Sequence, residues 1–89
     1  MKFSYQLSKK AEKDLRKMQG LIEERILQKL DFFCEQENPF KFAKKLRGFE
    51  NYFWFRVSGF RVIFTPKLNG ELLILLILKI APHDEIYDF

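Results

Sequence analysis

Two arginines lie on either side of a turn-forming dipeptide in the second half of the chain. Ser58-Gly59 separates two apolar, alternating segments, and this pattern predicts a β-hairpin with a two-residue turn. In such a hairpin Arg56 lies directly opposite Arg61, and like charges at opposite positions of a ladder repel each other. The pair therefore indicates a shared anion, either a phosphate or a carboxylate of a partner chain. The structural alternative is that each arginine pairs with an acid of its own chain, such as Glu50 or one near the C-terminus.

Alternation of side chains along the hairpin separates an apolar face from a mixed one. The first face is entirely apolar and is predicted to pack on helices. It carries Phe53, Phe55, Val57, Phe60, Val62 and Phe64. The other face adds Tyr52, Trp54, Ile63 and Thr65 to the two arginines. Aromatic residues beside arginines stack on unpaired bases in RNA sites, but they also cover the back of a sheet, and the sequence leaves both roles open for Tyr52 and Trp54.

His83 is the single histidine of the chain, and it directly follows Pro82, which ends the last apolar segment. Imidazole is the side chain whose ordinary pKa lies near neutrality, so His83 is a candidate acid or base. Tyr87 follows four residues later and could reach the same face. The alternative for a lone histidine near a terminus is a surface or capping role.

Positive charge is concentrated in the middle of the chain. Lysine and arginine total 16 against 12 acids, a net charge of +4, yet residues 41–67 hold seven cations and only one acid, Glu50. A basic segment of this density favours a polyanionic partner; the alternative is a solvated surface. The cations that precede the hairpin are Lys41, Lys44, Lys45 and Arg47.

Several kinds of active site are missing from the sequence. It has no glycine-rich phosphate loop, no nucleophile elbow and no His/Asp/Glu cluster with metal-ligand spacing. A two-metal nuclease is therefore disfavoured, and no metal or other cofactor is expected. Cleavage of RNA would have to follow the metal-free route. A base removes the proton of the 2′-OH, which attacks the adjacent phosphorus, while cations stabilise the phosphoryl oxygens and an acid protonates the leaving 5′-oxygen.

Hydrophobic periodicity predicts six elements in the order β-α-α-β-β-β. The strands are residues 2–7, 52–57, 60–65 and 71–80, and the helices are residues 9–18 and about 21–36. Ser8 caps the first helix, and Asn38-Pro39 ends the second. The last strand is apolar on both faces, as internal strands are. We therefore expect an α+β fold with an N-terminal strand, a helical hairpin and an antiparallel three-strand meander, with the helices packed on one face of the sheet.

The 89 residues and their 47% hydrophobic content indicate one globular domain over residues 1–89. The start, MKFSYQL, has no apolar run typical of a signal peptide. The longest apolar run, residues 72–78, is far shorter than the roughly 20 residues that cross a bilayer. The single cysteine, Cys34, excludes an intramolecular disulfide and lies on the apolar side of the second helix, where it is predicted to belong to the core. We therefore expect a cytoplasmic protein without a membrane partner.

Four segments of the chain carry a family resemblance. They are the helix end KDLRKM, the segment KKLRG (44–48), the hairpin RVSGFRVIF (56–64) and the ending ILKIAPHDEIY (77–87). In this order they resemble the RelE/ParE superfamily of bacterial toxins from type II toxin–antitoxin systems, over nearly the whole chain. The hairpin is the most specific segment, because it is similar to the Arg-Val-Gly-Asp-Tyr-Arg hairpin of the family.

The resemblance implies two activities. RelE-like members enter the ribosomal A site and cut mRNA there, whereas ParE-like members poison DNA gyrase, and both are neutralised by a small antitoxin that wraps the toxin. By position, Arg61 matches the RelE-like arginine that stabilises the scissile phosphate, and Tyr87 matches the C-terminal tyrosine. His83 followed by Tyr87 also resembles the ending of another ribosome-dependent branch, in which the histidine serves in acid–base chemistry.

We therefore expect a toxin that cuts mRNA on the ribosome without a metal, with a cognate antitoxin as its partner. The expected catalytic residues are Arg61, His83 and Tyr87, and the expected RNA-binding residues are Lys41, Lys44, Lys45, Arg47, Tyr52, Trp54 and Arg56. The alternative is a ParE-like gyrase inhibitor, or a catalytically weak toxin that acts as a binding protein. RelE-like enzymes carry lysines where this chain has Tyr52 and Trp54, and this difference favours the alternative.

Overall fold

One five-stranded sheet and two helices form the part of the chain that the computed structural model describes, residues 2–83. The strands are β1 (Lys2–Leu7), β2 (Lys44–Lys45), β3 (Phe53–Val57), β4 (Phe60–Asn69) and β5 (Leu72–Pro82), and the helices are α1 (Lys9–Met18) and α2 (Gly20–Glu35). The order across the sheet is β1-β5-β4-β3-β2, with β1 parallel to β5 and all other neighbours antiparallel. The predicted α+β class and the internal position of the last strand are confirmed.

The segment before the hairpin contains structure that the sequence analysis did not predict. It begins with a 3₁₀ turn, Pro39–Phe42, and continues into β2, which pairs with the first two residues of β3. A strand of two residues is too short to show a period of two, so hydrophobic periodicity cannot detect it. Lys44, the first residue of β2, lies beside Trp54, so within residues 2–83 no strand pairs with the outer edge of β3 after Trp54.

The turn between β3 and β4 has the geometry that its sequence predicts. Ser58 and Gly59 have φ angles of 50° and 80°, and positive values at both central positions define a type I′ turn, which matches the twist of a hairpin. The register follows from the turn, because Val57 pairs with Phe60 and places Arg56 opposite Arg61. The predicted register of the hairpin is confirmed.

The core lies between the helices and one face of the sheet. Phe33 of α2 stacks on Phe55 of β3 with 4.0 Å between ring centroids, and Phe55 stacks on Phe64 of β4 at 4.5 Å. Around them, α1 and α2 bury Ala11, Leu15, Ile26 and Leu30 against Val57, Val62, Leu75, Ile77 and Ile80. Full burial of one such side chain contributes roughly 1.5–3 kcal/mol. The apolar hairpin face therefore packs on the helices as predicted.

Cys34 packs against this core from α2, as predicted. Burial, and to a lesser extent the carboxylate of Asp31, raise the pKa of its thiol to about 11. The thiolate is the reactive form of cysteine, so this thiol is chemically quiet at neutral pH. Within residues 2–83, no helix is long and apolar enough to cross a membrane.

A β-bulge changes the alternation of side chains along β5. The register between β4 and β5 shifts at Leu78, which has no partner on β4. Ile77 and Ile80 therefore both pack into the core, although strict alternation would place positions three apart on opposite faces. The bulge also moves the end of β5 by one residue relative to β4, and this decides where His83 lies.

Two side chains from the first helical segment bind the backbone of β5 at the bulge. The hydroxyl of Ser8, the N-cap residue of α1, donates to the carbonyl oxygen of Leu78 at 3.1 Å. The carboxylate of Asp14, which is 6% exposed, accepts the N–H of Ile80 at 2.9 Å. The pairing between β1 and β5 ends just before the bulge, so these two side chains replace the missing neighbour strand. Burial of a backbone N–H without such a partner would be costly.

Replacing Asp14 by alanine tests this attachment, because it leaves the buried N–H of Ile80 without its acceptor. We expect Asp14→Ala to lower the free energy of unfolding by about 1–3 kcal/mol, measured by urea denaturation. The control is Glu12→Ala on the exposed side of α1, where the contact to Arg16 is 3.9 Å long. This variant is expected to change stability by less than about 0.5 kcal/mol. Equal losses in both variants would contradict the role of Asp14.

Candidate functional site

Trp54 is the centre of the sheet face that points away from the helices. The guanidinium carbon of Arg61 lies 4.4 Å from the centroid of its ring system, and Nζ of Lys44 lies 5.5 Å from it. The ring of His83 packs against the indole with 5.6 Å between centroids and an interplanar angle of 64°. We call these four residues the Trp54 cluster. Two permanent cations and one titratable ring therefore meet at a single indole, whose negative face attracts positive charge.

Four different strands bring the cluster together, with Trp54 itself on β3. Lys44 of β2 is the register partner of Trp54, so both side chains lie on the same face. Arg61 lies on β4, two residues before Ile63, which is the partner of Trp54 on that side. His83 follows β5, and its backbone N–H donates to the carbonyl oxygen of Gly59 at 2.8 Å. This hydrogen bond attaches the end of β5 to the hairpin turn and holds the imidazole near the indole.

A second, smaller apolar cluster lies beneath Trp54. Leu46 and Ile63 are buried with it, and Tyr52 is packed against them. The ring of Tyr52 stacks on Phe49 with 5.7 Å between centroids. Because Trp54 is only 8% exposed, it covers this face of the sheet and does not present an open ring to a base. Of the two roles left open for Trp54, covering the sheet is the one that the structure supports.

The sequence analysis did not single out Leu46, although a signal for it exists. Leu46 is the single apolar residue in the basic segment KKLRG, and its N–H donates to the carbonyl oxygen of Tyr52 at 2.8 Å. Leucine is often buried, whereas lysine and arginine are mostly exposed, so a leucine between cations is a candidate for contact with a core. Leu46 thereby holds the basic segment against the sheet and keeps Lys44 over Trp54.

Arg56 does not join the Trp54 cluster. It lies opposite Arg61 in the register, but it is exposed and lines a groove together with Arg25 and Lys29 of α2. The anion that we predicted between Arg56 and Arg61 stays a prediction.

The remaining predicted residues are spread more widely. Lys41 is exposed in the 3₁₀ turn. Lys45 and Arg47 are exposed and line a shallow surface of the loop after β2. Tyr87 lies outside the residues that the structure describes. Over residues 2–83, no three His, Cys, Asp or Glu side chains come close enough together to hold a metal ion.

Comparison with known proteins identifies the family. Residues 5–87 match the family model described as the ParE toxin of the type II toxin–antitoxin system, parDE. The chain belongs to this family. The match covers both the hairpin and the segment after β5, so the Trp54 cluster lies within the family's domain. No curated protein sequence matches this toxin significantly.

Solved structures of toxin–antitoxin complexes share the fold of this toxin. The archaeal RelE–RelB complex from Pyrococcus horikoshii has a chain 22% identical in sequence, with a TM-score of 0.64 over 97% of the toxin and 100% of that chain. The RelBE2 complex from Mycobacterium tuberculosis gives 22% identity and a TM-score of 0.60 over 92% and 99% of the two chains. The RelB–RelE complex from Methanococcus jannaschii gives 23% and 0.59 over 85% and 87%. At these identities the likeness concerns the fold.

The emission of Trp54 tests the geometry of the cluster, because it is the sole tryptophan of the toxin. Because the ring of His83 packs on the indole, its removal should leave the indole more open to water. We therefore expect His83→Ala to shift the emission maximum of Trp54 to longer wavelength and to increase its quenching by acrylamide. The control is Lys67→Ala, an exposed cation further along β4, which should leave both properties unchanged. Unchanged emission in folded His83→Ala would mean that the histidine does not cover Trp54.

Proposed function

We propose that this ParE-family toxin cuts mRNA on the ribosome by a metal-independent reaction and is held inactive by a cognate antitoxin. The observation that supports the reaction is the meeting of Arg61, Lys44 and His83 at one indole. These groups match what metal-free RNA cleavage requires, which is a proton acceptor beside cations that stabilise a developing phosphorane charge.

In the proposed reaction His83 acts as the base that removes the proton of the 2′-OH. Arg61 and Lys44 stabilise the negative charge that grows on the phosphoryl oxygens as the 2′-oxygen attacks phosphorus. The leaving 5′-oxygen receives a proton from an acid, which can be a water molecule. Tyr87, which by the sequence resemblance matches the C-terminal tyrosine of the family, orients a reacting group or stacks on a base. The exposed cations Lys45 and Arg47 bind the RNA backbone, a contact that does not depend on base sequence.

Lys44 supports this proposal against the main objection to it. RelE-like enzymes carry lysines on the first hairpin strand, whereas this toxin has aromatic residues there. Lys44 lies on the neighbouring strand β2, and its Nζ is 5.5 Å from the ring of Trp54. A cation is therefore present at this part of the site, supplied by a strand that the sequence analysis did not predict.

Gyrase inhibition is the second candidate function. It is favoured by the family model, whose description names the ParE toxin, because the sequence resemblance associates ParE-like members with DNA gyrase. A gyrase inhibitor needs a binding surface and no acid–base pair, so it would not require His83. In either case the proposed partner is an antitoxin, and the three similar folds were each solved in complex with one.

Purified toxin with programmed ribosomes distinguishes the two activities. We expect cleavage of mRNA at the A-site codon in buffer whose only divalent metal is the magnesium that ribosomes need. The product should carry a 2′,3′-cyclic phosphate or a 3′-phosphate, because the 2′-oxygen is the nucleophile. Gyrase supercoiling should be unaffected by the same preparation. Inhibited supercoiling with intact mRNA would select the second candidate.

Single-turnover cleavage by variants tests the roles of Arg61 and His83. Arg61→Ala should reduce the rate about a hundredfold, because a cation held against a developing charge is commonly worth on the order of 3 kcal/mol. His83→Gln should reduce it by roughly 10²-fold or more through loss of proton transfer. The control is Lys67→Ala, an exposed cation on the same strand as Arg61, which should leave the rate unchanged.

Stability must be measured for the same variants, because Arg61 packs on Trp54. Loss of this contact should lower the free energy of unfolding by about 0.5–2 kcal/mol, so Arg61→Ala remains folded at low temperature. If the cleavage rate of Arg61→Ala falls only in proportion to its fraction of folded protein, Arg61 has a structural role. An unchanged rate in folded His83→Gln would remove the histidine from the mechanism.

A further inference from the structure

A groove that contains several lysines lies between α1 and the end of β5. Its volume is about 340 Å³. Its charged lining residues are three lysines and one acid, namely Lys10, Lys17, Lys79 and Asp14. We call it the α1–β5 groove. Neither the family assignment nor the proposed cleavage reaction uses its three lysines.

The way in which α1 attaches to β5 forms this groove. β1 pairs with β5 only as far as Ile77, and within residues 2–83 no strand pairs with the outer edge of β5 after it. The carboxylate of Asp14 holds α1 at this edge, because it accepts the N–H of Ile80 at 2.9 Å. Lys10 lies four residues before Asp14 and Lys17 three residues after it, and residues with this spacing share one face of a helix. The face of α1 that attaches to β5 therefore also brings both lysines to the groove.

The charge of the groove is not balanced by its own acid. Asp14 is the single acid among the described lining residues, and it pairs with Lys10. Lys17 is exposed and takes part in neither of the ion pairs found within residues 2–83. Three lysines and one aspartate give the described lining a net charge of +2. An anion that binds there is attracted by these cations and relieves their mutual repulsion.

Lys79 connects the groove to the sheet face of the Trp54 cluster. It is the register partner of Ile63, Ile63 is the partner of Trp54, and Trp54 is the partner of Lys44. These four residues form one row across β5, β4, β3 and β2, with a lysine at each end. Three spacings of about 4.8 Å between strands make the row roughly 14 Å long. Arg61 lies two residues before Ile63 and is thus a diagonal neighbour of Lys79. The cations of this face therefore continue to the edge at which the groove begins.

A single strand of RNA is the anion that suits both surfaces. It carries one negative charge at every nucleotide, so a strand laid across the row can place one phosphate at Lys44 and Arg61 and another at the groove. All cations of the groove are lysines. Lysine binds phosphate as a point charge, whereas arginine is favoured where a carboxylate is held through two parallel hydrogen bonds.

We propose that the α1–β5 groove binds a phosphate group of the RNA strand whose scissile phosphate lies at the Trp54 cluster. Lys17 and Lys79 donate hydrogen bonds to its oxygens, while Lys10 remains paired with Asp14. The strand crosses the sheet from β2 towards β5. Contacts to phosphate carry no direct information on base sequence, so the groove sets the affinity and the position of the strand. The proposal rests on the proposed function, because it takes RNA as the substrate.

Binding of a defined RNA tests the groove without requiring cleavage. The probe is a fluorescein-labelled oligouridylate with 2′-O-methyl groups, and its affinity is measured by anisotropy over a series of salt concentrations. The variant is Lys17→Gln with Lys79→Gln. The control is Lys9→Gln with Lys67→Gln, which also removes one lysine of α1 and one of the sheet, but neither of them lines the groove. We expect the variant to weaken binding at least about tenfold and to lower the salt slope by roughly 0.7 for each lost contact. The control should change both quantities much less.

Melting temperatures distinguish loss of binding from loss of folding. Lys79 is half-buried, whereas Lys17 is exposed on α1. We therefore expect Lys17→Gln alone to keep the melting temperature of the unsubstituted toxin and to show a smaller loss of affinity than the double variant. Unchanged affinity in Lys17→Gln, combined with a lowered melting temperature in the double variant, would make the loss a folding effect and overturn the proposal.

Cleavage on ribosomes tests where the bound phosphate lies along the strand. In single-turnover assays the Lys17→Gln, Lys79→Gln variant should need at least about tenfold more toxin to reach half of its maximal rate. The maximal rate should be nearly unchanged, because neither lysine contacts the scissile phosphate. A methylphosphonate linkage removes the charge of one chosen phosphate. Scanned over the linkages beside the scissile one, it should raise the required concentration of unsubstituted toxin at one linkage and have no such effect in the variant.

The outcomes separate this proposal from the proposed function. Cleavage with equal losses in the two double variants, or a methylphosphonate effect that persists in the groove variant, would overturn the groove. If the unsubstituted toxin cuts no mRNA but binds the oligouridylate through Lys17 and Lys79, the proposed reaction is wrong and the groove is supported as an RNA site. A labelled peptide of alternating glutamate and valine that loses affinity in the groove variant, while the oligouridylate does not, would assign the groove to a protein and overturn the proposal.

Discussion

The β-bulge at Leu78 is the feature on which the geometry of the site depends. It exposes backbone groups of β5 where β1 no longer runs beside it, and Ser8 and Asp14 bind these groups from the side of α1. Lys10 pairs with the carboxylate of Asp14 and balances its charge near the core. The bulge adds one residue to β5. Every later residue of β5 is therefore shifted by one position relative to β4. His83 consequently reaches the hairpin turn, where Gly59 accepts its N–H.

The two faces of the sheet have different roles, one in packing on the helices and one in forming the Trp54 cluster. The helix-facing side is packed with stacked phenylalanines, and their tight contacts make the hairpin a rigid support. The other side is covered by Trp54 and a few neighbours, and cations collect around the indole because its negative ring face offsets their mutual repulsion. The buried indole of Trp54 thus provides one common contact for Lys44 and Arg61.

Two basic surfaces follow from the shortness of β2. The strand covers β3 as far as Trp54 and brings Lys44 to the indole, and among residues 2–83 no strand pairs with the outer edge of β3 beyond that point. Arg61 lies over the ring of Trp54, while Arg56 lines a groove together with Arg25 and Lys29 of α2. Arginines that oppose each other in the ladder therefore contribute to separate surfaces.

The sequence by itself determined the elements that depend on local interactions. The cap at Ser8, the type I′ turn at Ser58-Gly59 and the apolar hairpin face all follow from neighbouring residues, and the structure has them as predicted. Only the tertiary structure decided the bulge, the burial of Trp54 and the contact of Arg61 and His83 with its indole. Each of these depends on groups far apart in the chain, such as Asp14 and Ile80. Hydrophobic period and residue type report which face a residue occupies, but they carry no information on which distant backbone group needs a partner.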